Sequence, residues 1–354
     1  MMKVAYFGNY QSRDHFPRND ILMMGLRQNG VKVIECRSSA PFRFRWISLL
    51  FKFMRYGPFD AMIVGVPGHG DVIIAKLASL LTGTPLVFDV FISLYDTNVF
   101  DRELVKENSF IARWFYFLDK ISCILPDALL FDTEQHIRYF RKTFGINKDK
   151  CHRVLVGTHT SIFRPRKRKT DKWIAYYHGK FIPLQGVPVI VQAARILKES
   201  DIEFHLLGDG HDFEKVRRML EEEPLKKLRI FPRVKYEQLP ERAANAGVFL
   251  AGPFGKSGKA ARVIPNKVYE ALSMKLPTIV ADTKATREIF SDEDCIFCPR
   301  QSPNKLAEKI LWAKSHPREA QQKAEHGYRT LMKTITPRIA GKQVKQILEE
   351  LINA

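Results

Sequence analysis

Between Gly252 and Tyr269 the chain carries no acidic residue, while Lys256, Lys259, Arg262 and Lys267 bring positive charge to the same stretch. Gly255 and Gly258 interleave with them, and glycines let backbone N–H groups come close to a ligand. Cations and accessible amides together suit a phosphate. Pro265 fits the first position of a helix that continues through Asn266, Lys267 and Glu270, because its missing N–H would be unpaired there anyway. Glu270 then lies roughly 7.5 Å further up the axis, about the span from a nucleotide's phosphate to its ribose. A carboxylate at that height accepts hydrogen bonds from a ribose diol while the helix start and the lysines hold the phosphates. The same residues also read as a solvated basic loop ahead of an ordinary core helix.

Other residues offer chemistry with less context. Gly8 opens the turn Gly8-Asn-Tyr10 after the first strand-like run, where a donor or acceptor can approach. His69, between Gly68 and Gly70 after another apolar run, is a candidate to hydrogen-bond a sugar or accept a proton, against a structural role. Asp89 and Asp96 stand at or just after a strand, placed to orient an acceptor or to cap a turn. Asp292-Glu-Asp294 has the DxD spacing that can hold a divalent ion, but its polar setting reads as a solvated turn. Cys295 and Cys298 form a CxxC without a second pair, inside an apolar run, which argues against zinc or redox chemistry. No metal site is expected.

The elements that must hold these residues alternate regularly. Apolar β-rich runs such as Lys3–Phe7, Ala61–Val66, Pro85–Val90 and Ala128–Phe131 are separated by helix-like segments, and the pattern repeats from Trp173–Tyr177 to Cys295–Phe297. Such alternation predicts an α/β chain of doubly wound parallel sheets. The basic, Pro-containing stretch Ser161–Asp171 is the expected linker, giving domains at 1–165 and 166–335, with the amphipathic helix of 336–354 returning to the first. Ligands of such sheets bind beyond the carboxyl ends of the strands, so two facing domains are expected to enclose a cleft.

Length and composition narrow the classes further. A chain of 354 residues with 45% hydrophobic and 27% charged content can bury two cores and is neither disordered nor fibrous. No apolar run reaches the roughly 20 residues of a membrane span, and no signal-like segment opens the chain, so a cytoplasmic location is expected. A net charge of +19 calls for an anionic partner: nucleic acid, nucleotide phosphates or an acidic membrane. No zinc-finger spacing or RNP-like aromatic pattern supports sequence-specific nucleic-acid binding. Residues 40–56 mix Arg43, Arg45, Lys52 and Arg55 with aromatics and leucines, the composition of an interfacial helix on acidic lipid; a buried helix with basic ends is the other reading.

Four segments, in order, resemble the GT-B glycosyltransferases, and most closely the retaining, nucleotide-sugar-dependent enzymes called family 4. They are Tyr177-His-Gly-Lys-Phe-Ile-Pro-Leu-Gln-Gly186, Phe204-His-Leu-Leu-Gly-Asp-Gly210, Phe231–Pro240, and Ile264-Pro-Asn-Lys-Val-Tyr-Glu-Ala-Leu272 with the strand that follows. The resemblance implies two Rossmann-like domains facing across a cleft, the first for the acceptor and the second for the donor. It implies a hexosyltransferase acting with retention and without a metal or other cofactor, on a glycan or polyprenyl-linked acceptor at the inner face of a membrane.

Three departures accompany it. Arg262 occupies the place of the first of two family glutamates, about eight residues before Glu270; Lys180 stands for an arginine that holds the diphosphate, and Gln185 for a lysine. Lysine lacks the arginine fork, so Lys256, Lys259 and Arg262 are candidates to share the phosphate. The catalytic candidates are His69, Asp96 and Lys180. The donor-binding candidates are Gly8, Gly179, Lys180, Gln185, Gly208, Lys256, Lys259, Arg262, Pro265, Asn266, Lys267 and Glu270. Rival readings are a nucleotide-sugar 2-epimerase of the same fold, and a non-catalytic protein whose basic surface holds nucleic acid or membrane.

Overall fold

The computed structural model describes residues 1–10, 17–38 and 40–354, with the side chains of residues 42 and 43 outside that description. The chain divides into two compact units, residues 1–157 with 335–354, and residues 158–334.

In the first unit β1 (Lys3–Phe7), α1 (Pro17–Gln28), β2 (Lys32–Cys36), α2 (Phe42–Tyr56), β3 (Ala61–Val64), α3 (Asp71–Thr82), β4 (Leu86–Asp89), α4 (Phe110–Ile124), β5 (Ala128–Phe131), α5 (Glu134–Phe144) and β6 (Cys151–Arg153) alternate. Among the described residues they form a parallel sheet of order β2-β1-β3-β4-β5-β6. The central strands are buried throughout, as parallel strands covered on both faces must be. Residues of α2, α3, α4 and α5 share one core with one face of the sheet.

In the second unit β7 (Ile174–His178), α6 (Val187–Ile196), β8 (Glu203–Leu207), α7 (Phe213–Glu222), β9 (Leu228–Phe231), α8 (Leu239–Ala243), β10 (Val248–Gly252), α9 (Asn266–Ser273), β11 (Thr278–Ala281), α10 (Lys284–Arg287), β12 (Ile296–Cys298), α11 (Pro303–Ser315) and α12 (Pro317–Thr334) follow. Its sheet is also parallel, ordered β12-β11-β10-β7-β8-β9. The strand order reverses between β7 and β10, the kind of switch point at whose carboxyl ends ligands of such sheets bind.

The last helix, α13 (Pro337–Asn353), returns to the first unit. Val344, Ile347 and Leu348 join the core on the face opposite α2–α5, alongside Leu22 and Leu26 of α1. Gly25 and Gly341 let the two helices touch backbone to backbone: a Cβ on either would run into the other helix's main chain.

The units divide at Gly157, not at the expected 165/166. The reason lies in Phe163, whose carbonyl accepts from Ser273 Oγ and whose ring packs on Tyr236, 5.1 Å between centroids, which ties this segment to the second unit. The return likewise falls at Ile335, one residue before the expected 336.

Candidate functional site

The second-unit site is built where the loops after β7 and β10 meet α9. The turn after β7 carries Gly179 at φ +134°, and Gly208, at φ +145° after β8, packs so closely on the Gly179 carbonyl that it has no room for a Cβ. The loop then runs to Gly186, in the left-handed region at the start of α6, and locks onto the loop after β10. Phe254 and Gly255 donate from their amides to the carbonyls of Gln185 and Leu184, each at 3.1 Å. A Cβ on Gly255 would collide with the Pro183 carbonyl. Arg300 clamps the basic loop by donating to the carbonyls of Gly255 and Ser257, both at 3.0 Å.

Pro265 is the residue before α9, with ψ 143°, and Asn266 is the first helical residue, one position later than expected. Lys267 and Glu270, three residues apart, share one helical face, turned toward β7 and the loop after it. Glu270 is buried, and its two carboxylate oxygens accept from His178 Nε2 at 2.7 Å and from the Tyr236 hydroxyl at 3.3 Å. A carboxylate only accepts, so His178 carries its proton on Nε2, and its buried Nδ1 has no hydrogen-bond partner among the described residues. These two donors fix the carboxylate while leaving lone pairs for a ligand.

Lys267 Nζ donates to Gln185 Oε1 at 2.7 Å, lies 3.4 Å from the Tyr177 hydroxyl, and sits 4.5 Å from the centre of the Tyr177 ring. Burial drives its pKa from 10.5 down to about 7, partly countered by the negative field of Glu270.

The structure thus brings Gly179, Lys180, Gln185, Gly208, Lys267 and Glu270 to one end of one sheet, with Asn266 at the helix start. In the basic loop Lys256 is exposed, Arg262 half-buried, and Lys259 buried within a short helical turn that Ser257 caps. His178, Tyr177 and Tyr236 lie inside segments that carry the family resemblance, but nothing in the sequence singles them out as site residues; Arg300 lies outside those segments.

Gly8, His69 and Asp96 belong to the first unit. Gly8, at φ +113° after β1, packs against Asp71, whose carboxylate also accepts from the Asn9 amide at 2.8 Å. His69 Nε2 contacts the Asp119 carboxylate at 3.2 Å and the Ile92 carbonyl at 3.1 Å, so its proton is on Nε2; Nδ1 has no hydrogen-bond partner among the described residues. Asp119 is held in turn by Ser93 Oγ and by the amides of Leu94 and Tyr95. His69 therefore pairs with Asp119, which the sequence did not single out, and with neither Asp89 nor Asp96. Asp89 is buried against Arg18 at 2.7 Å and is a core ion pair, not an acceptor ligand. Asp96 is buried at the start of a π-helical turn, its amide bonded to Ser93 Oγ.

The remaining candidates resolve as structure. Asp292 pairs with Arg287, and Asp294 is buried, not solvated as expected: it accepts from Ser291, Thr330 and His326 and so pins the turn to α12. Burial pushes the Cys298 thiol up to about 12 and that of Cys295 well above its usual value. On α2, Arg45 pairs with Asp71 at 3.0 Å and Lys52 donates to the Arg37 carbonyl, so neither is the free headgroup ligand expected of it; Arg55 is exposed, and the Arg43 side chain lies outside the described residues. No helix among the described residues is long and apolar enough to cross a membrane.

Residues 159–330 match the family model for glycosyl transferases group 1, nearly the whole of the second unit. An uncharacterized glycosyltransferase of Methanocaldococcus jannaschii is 24% identical over 202 residues, 52% of this chain and 55% of the relative, so the chain spans about half the length of that curated relative. Among solved structures, sucrose-phosphate synthase from Thermosynechococcus elongatus superimposes with a TM-score of 0.75 at 14% identity, covering 100% of both chains. Anabaena HepE in complex with UDP and glucose gives 0.73 at 11% identity, covering 99% of this chain and 100% of that one. The second unit is a group 1 glycosyl transferase domain, carried in a chain of GT-B architecture.

Proposed function

We propose that the protein transfers a hexosyl group from a nucleoside-diphosphate sugar, with UDP the first candidate carrier, to a hydroxyl of a glycan or lipid-linked acceptor, with retention at the anomeric carbon. What carries this reading is Glu270, fixed by His178 and Tyr236 one helical turn beyond Lys267 at the start of α9. A carboxylate suited to a ribose diol then stands beside a cationic helix start suited to a diphosphate. HepE, of the same fold, binds UDP.

In this reaction the bond from the anomeric carbon to the diphosphate breaks and a bond to the acceptor oxygen forms. With retention, acceptor and leaving group share one face of the sugar, so the departing phosphate oxygen is the nearest base for the acceptor's proton. Negative charge grows on the leaving diphosphate, and fixed cations and helix-start amides stabilise it more in the transition state than in the ground state. Lys180, Lys256, Lys259 and Arg262, with Lys267 at the helix start, are the cations assigned to that role, which then needs no metal. His69, oriented by Asp119, is assigned to a sugar hydroxyl through Nδ1, which is buried and makes no hydrogen bond among the described residues.

The acceptor is assigned to an anionic membrane surface on the inner side. Phe44, Ile47, Phe51 and Met54 recur at helical spacing on α2 and are all at least 60% exposed. Leu80 and Leu81 of α3, and Phe110 and Trp114 of α4, extend exposed apolar surface over the same helical layer.

Calorimetric titration with UDP, GDP, ADP and CMP without added metal tests the donor site. Selective binding of one nucleoside diphosphate is expected and identifies the base; a set of four flat titrations would refute the reading and move attention to RNA and lipid.

A further inference from the structure

We propose that Lys267 is the principal diphosphate-binding cation of this site, delivered from α9 across to the α6 loop where Gln185 offers no charge, and that it takes up a proton as the diphosphate enters. The inference rests on the donor-site reading above.

Its ammonium is buried and, among the described residues, has two hydrogen-bond acceptors, the Gln185 amide oxygen at 2.7 Å and the Tyr177 hydroxyl at 3.4 Å. An ammonium has three donors, so one is left over. The nearest carboxylate on its own helix, Glu270, is committed to His178 and Tyr236. Burying a lysine without a carboxylate contact is costly, and packing alone would favour an apolar side chain of similar length. The site is shaped to receive that charge: a Cβ on Gly179 would stand only 2.9 Å from Nζ, so the bare glycine lets the ammonium reach the turn after β7. Gln185 is itself buried and orients the ammonium without neutralising it. An anion resting on the Gly179 turn would supply the missing acceptor.

The ionisable groups that act on Lys267 are Tyr177 of β7, whose ring and hydroxyl it meets, and Glu270 on α9, which raises its pKa through its field; His178 in turn bonds Glu270, and Asp212 acts on Tyr177. Burial holds the free lysine's pKa at about 7. A diphosphate in contact favours the charged form and raises that value, so protons are taken up on binding in the range above pH 7, and affinity falls as pH rises through that range.

The test is calorimetry with UDP at about pH 8 in two buffers of different ionisation enthalpy, with uridine as the phosphate-free control. The wild-type protein is expected to take up a large fraction of one proton per UDP. Lys267→Gln should bind UDP at least about tenfold more weakly with unchanged uridine affinity. The double variant Gln185→Lys with Lys267→Gln, which moves the charge to the loop, should recover most of the loss. UDP affinity unaltered by Lys267→Gln would overturn the proposal while leaving the donor site standing; a wild-type protein that does not bind UDP would overturn both. Should thermal unfolding show that Lys267→Gln is not folded, the wild-type measurement decides, and absence of proton uptake overturns the proposal.

Discussion

Glu270 accepts from His178 and Tyr236, so removing its carboxylate takes an acceptor from both and leaves the buried His178 Nε2–H without its partner, as well as removing the proposed ribose ligand. A buried donor left unpaired costs on the order of 1–3 kcal/mol before relaxation. Glu270→Ala is therefore expected to lower stability measurably without abolishing folding, and to weaken nucleotide binding by about tenfold or more. Thermal unfolding and calorimetry on the same sample check this. A collapse in stability with nucleotide affinity unchanged would make Glu270 a structural residue only. The buried Arg18–Asp89 pair has the opposite profile, since its partners all lie within the first unit's core.

At the scale of elements, the proposed donor site depends on two loops held in register by glycines more than on any single helix. Gly255 has no room for a Cβ because the Pro183 carbonyl lies against it, and Arg300 fixes the same stretch from the other side. Gly255→Ala is expected to push the basic loop away from the α6 loop. The predicted result is a loss of nucleotide affinity of about tenfold with a drop in stability of about 1–3 kcal/mol, read by calorimetry and denaturant unfolding. Retained affinity would mean that the loop adapts and that its position does not limit binding.

For the whole molecule, a net charge of +19 and the exposed apolar stripes of the first unit predict binding to anionic vesicles. Flotation with phosphatidylglycerol-containing vesicles should recover the protein, and neutral vesicles should recover much less. Replacing Ile47, Phe51 and Met54 together by serine should reduce recovery several-fold without altering nucleotide affinity, because these side chains face solvent and belong to neither core. Equal recovery of wild type and variant would remove α2 from the membrane reading.

The alternation of apolar runs determined two parallel sheets, because strands buried on both faces must be apolar along their length, and the run from Gly252 to Glu270 determined a cationic loop ahead of a helix bearing one acid. Those properties are local and periodic, so they are written in the order of residues. Tertiary structure alone decided that Glu270 is held by His178 from β7 and Tyr236 from the turn before α8, that Lys267 reaches Gln185, and that His69 is paired with Asp119. These partners are far apart in the chain and share no spacing. It also decided that Arg45 and Lys52 serve internal contacts, since whether a basic side chain on an amphipathic helix meets lipid or protein depends on what packs beside it. The boundary at Gly157 was hidden for the same reason: Phe163 looks like linker in sequence, and becomes part of the second unit only through the Ser273 hydroxyl and the Tyr236 ring it meets there.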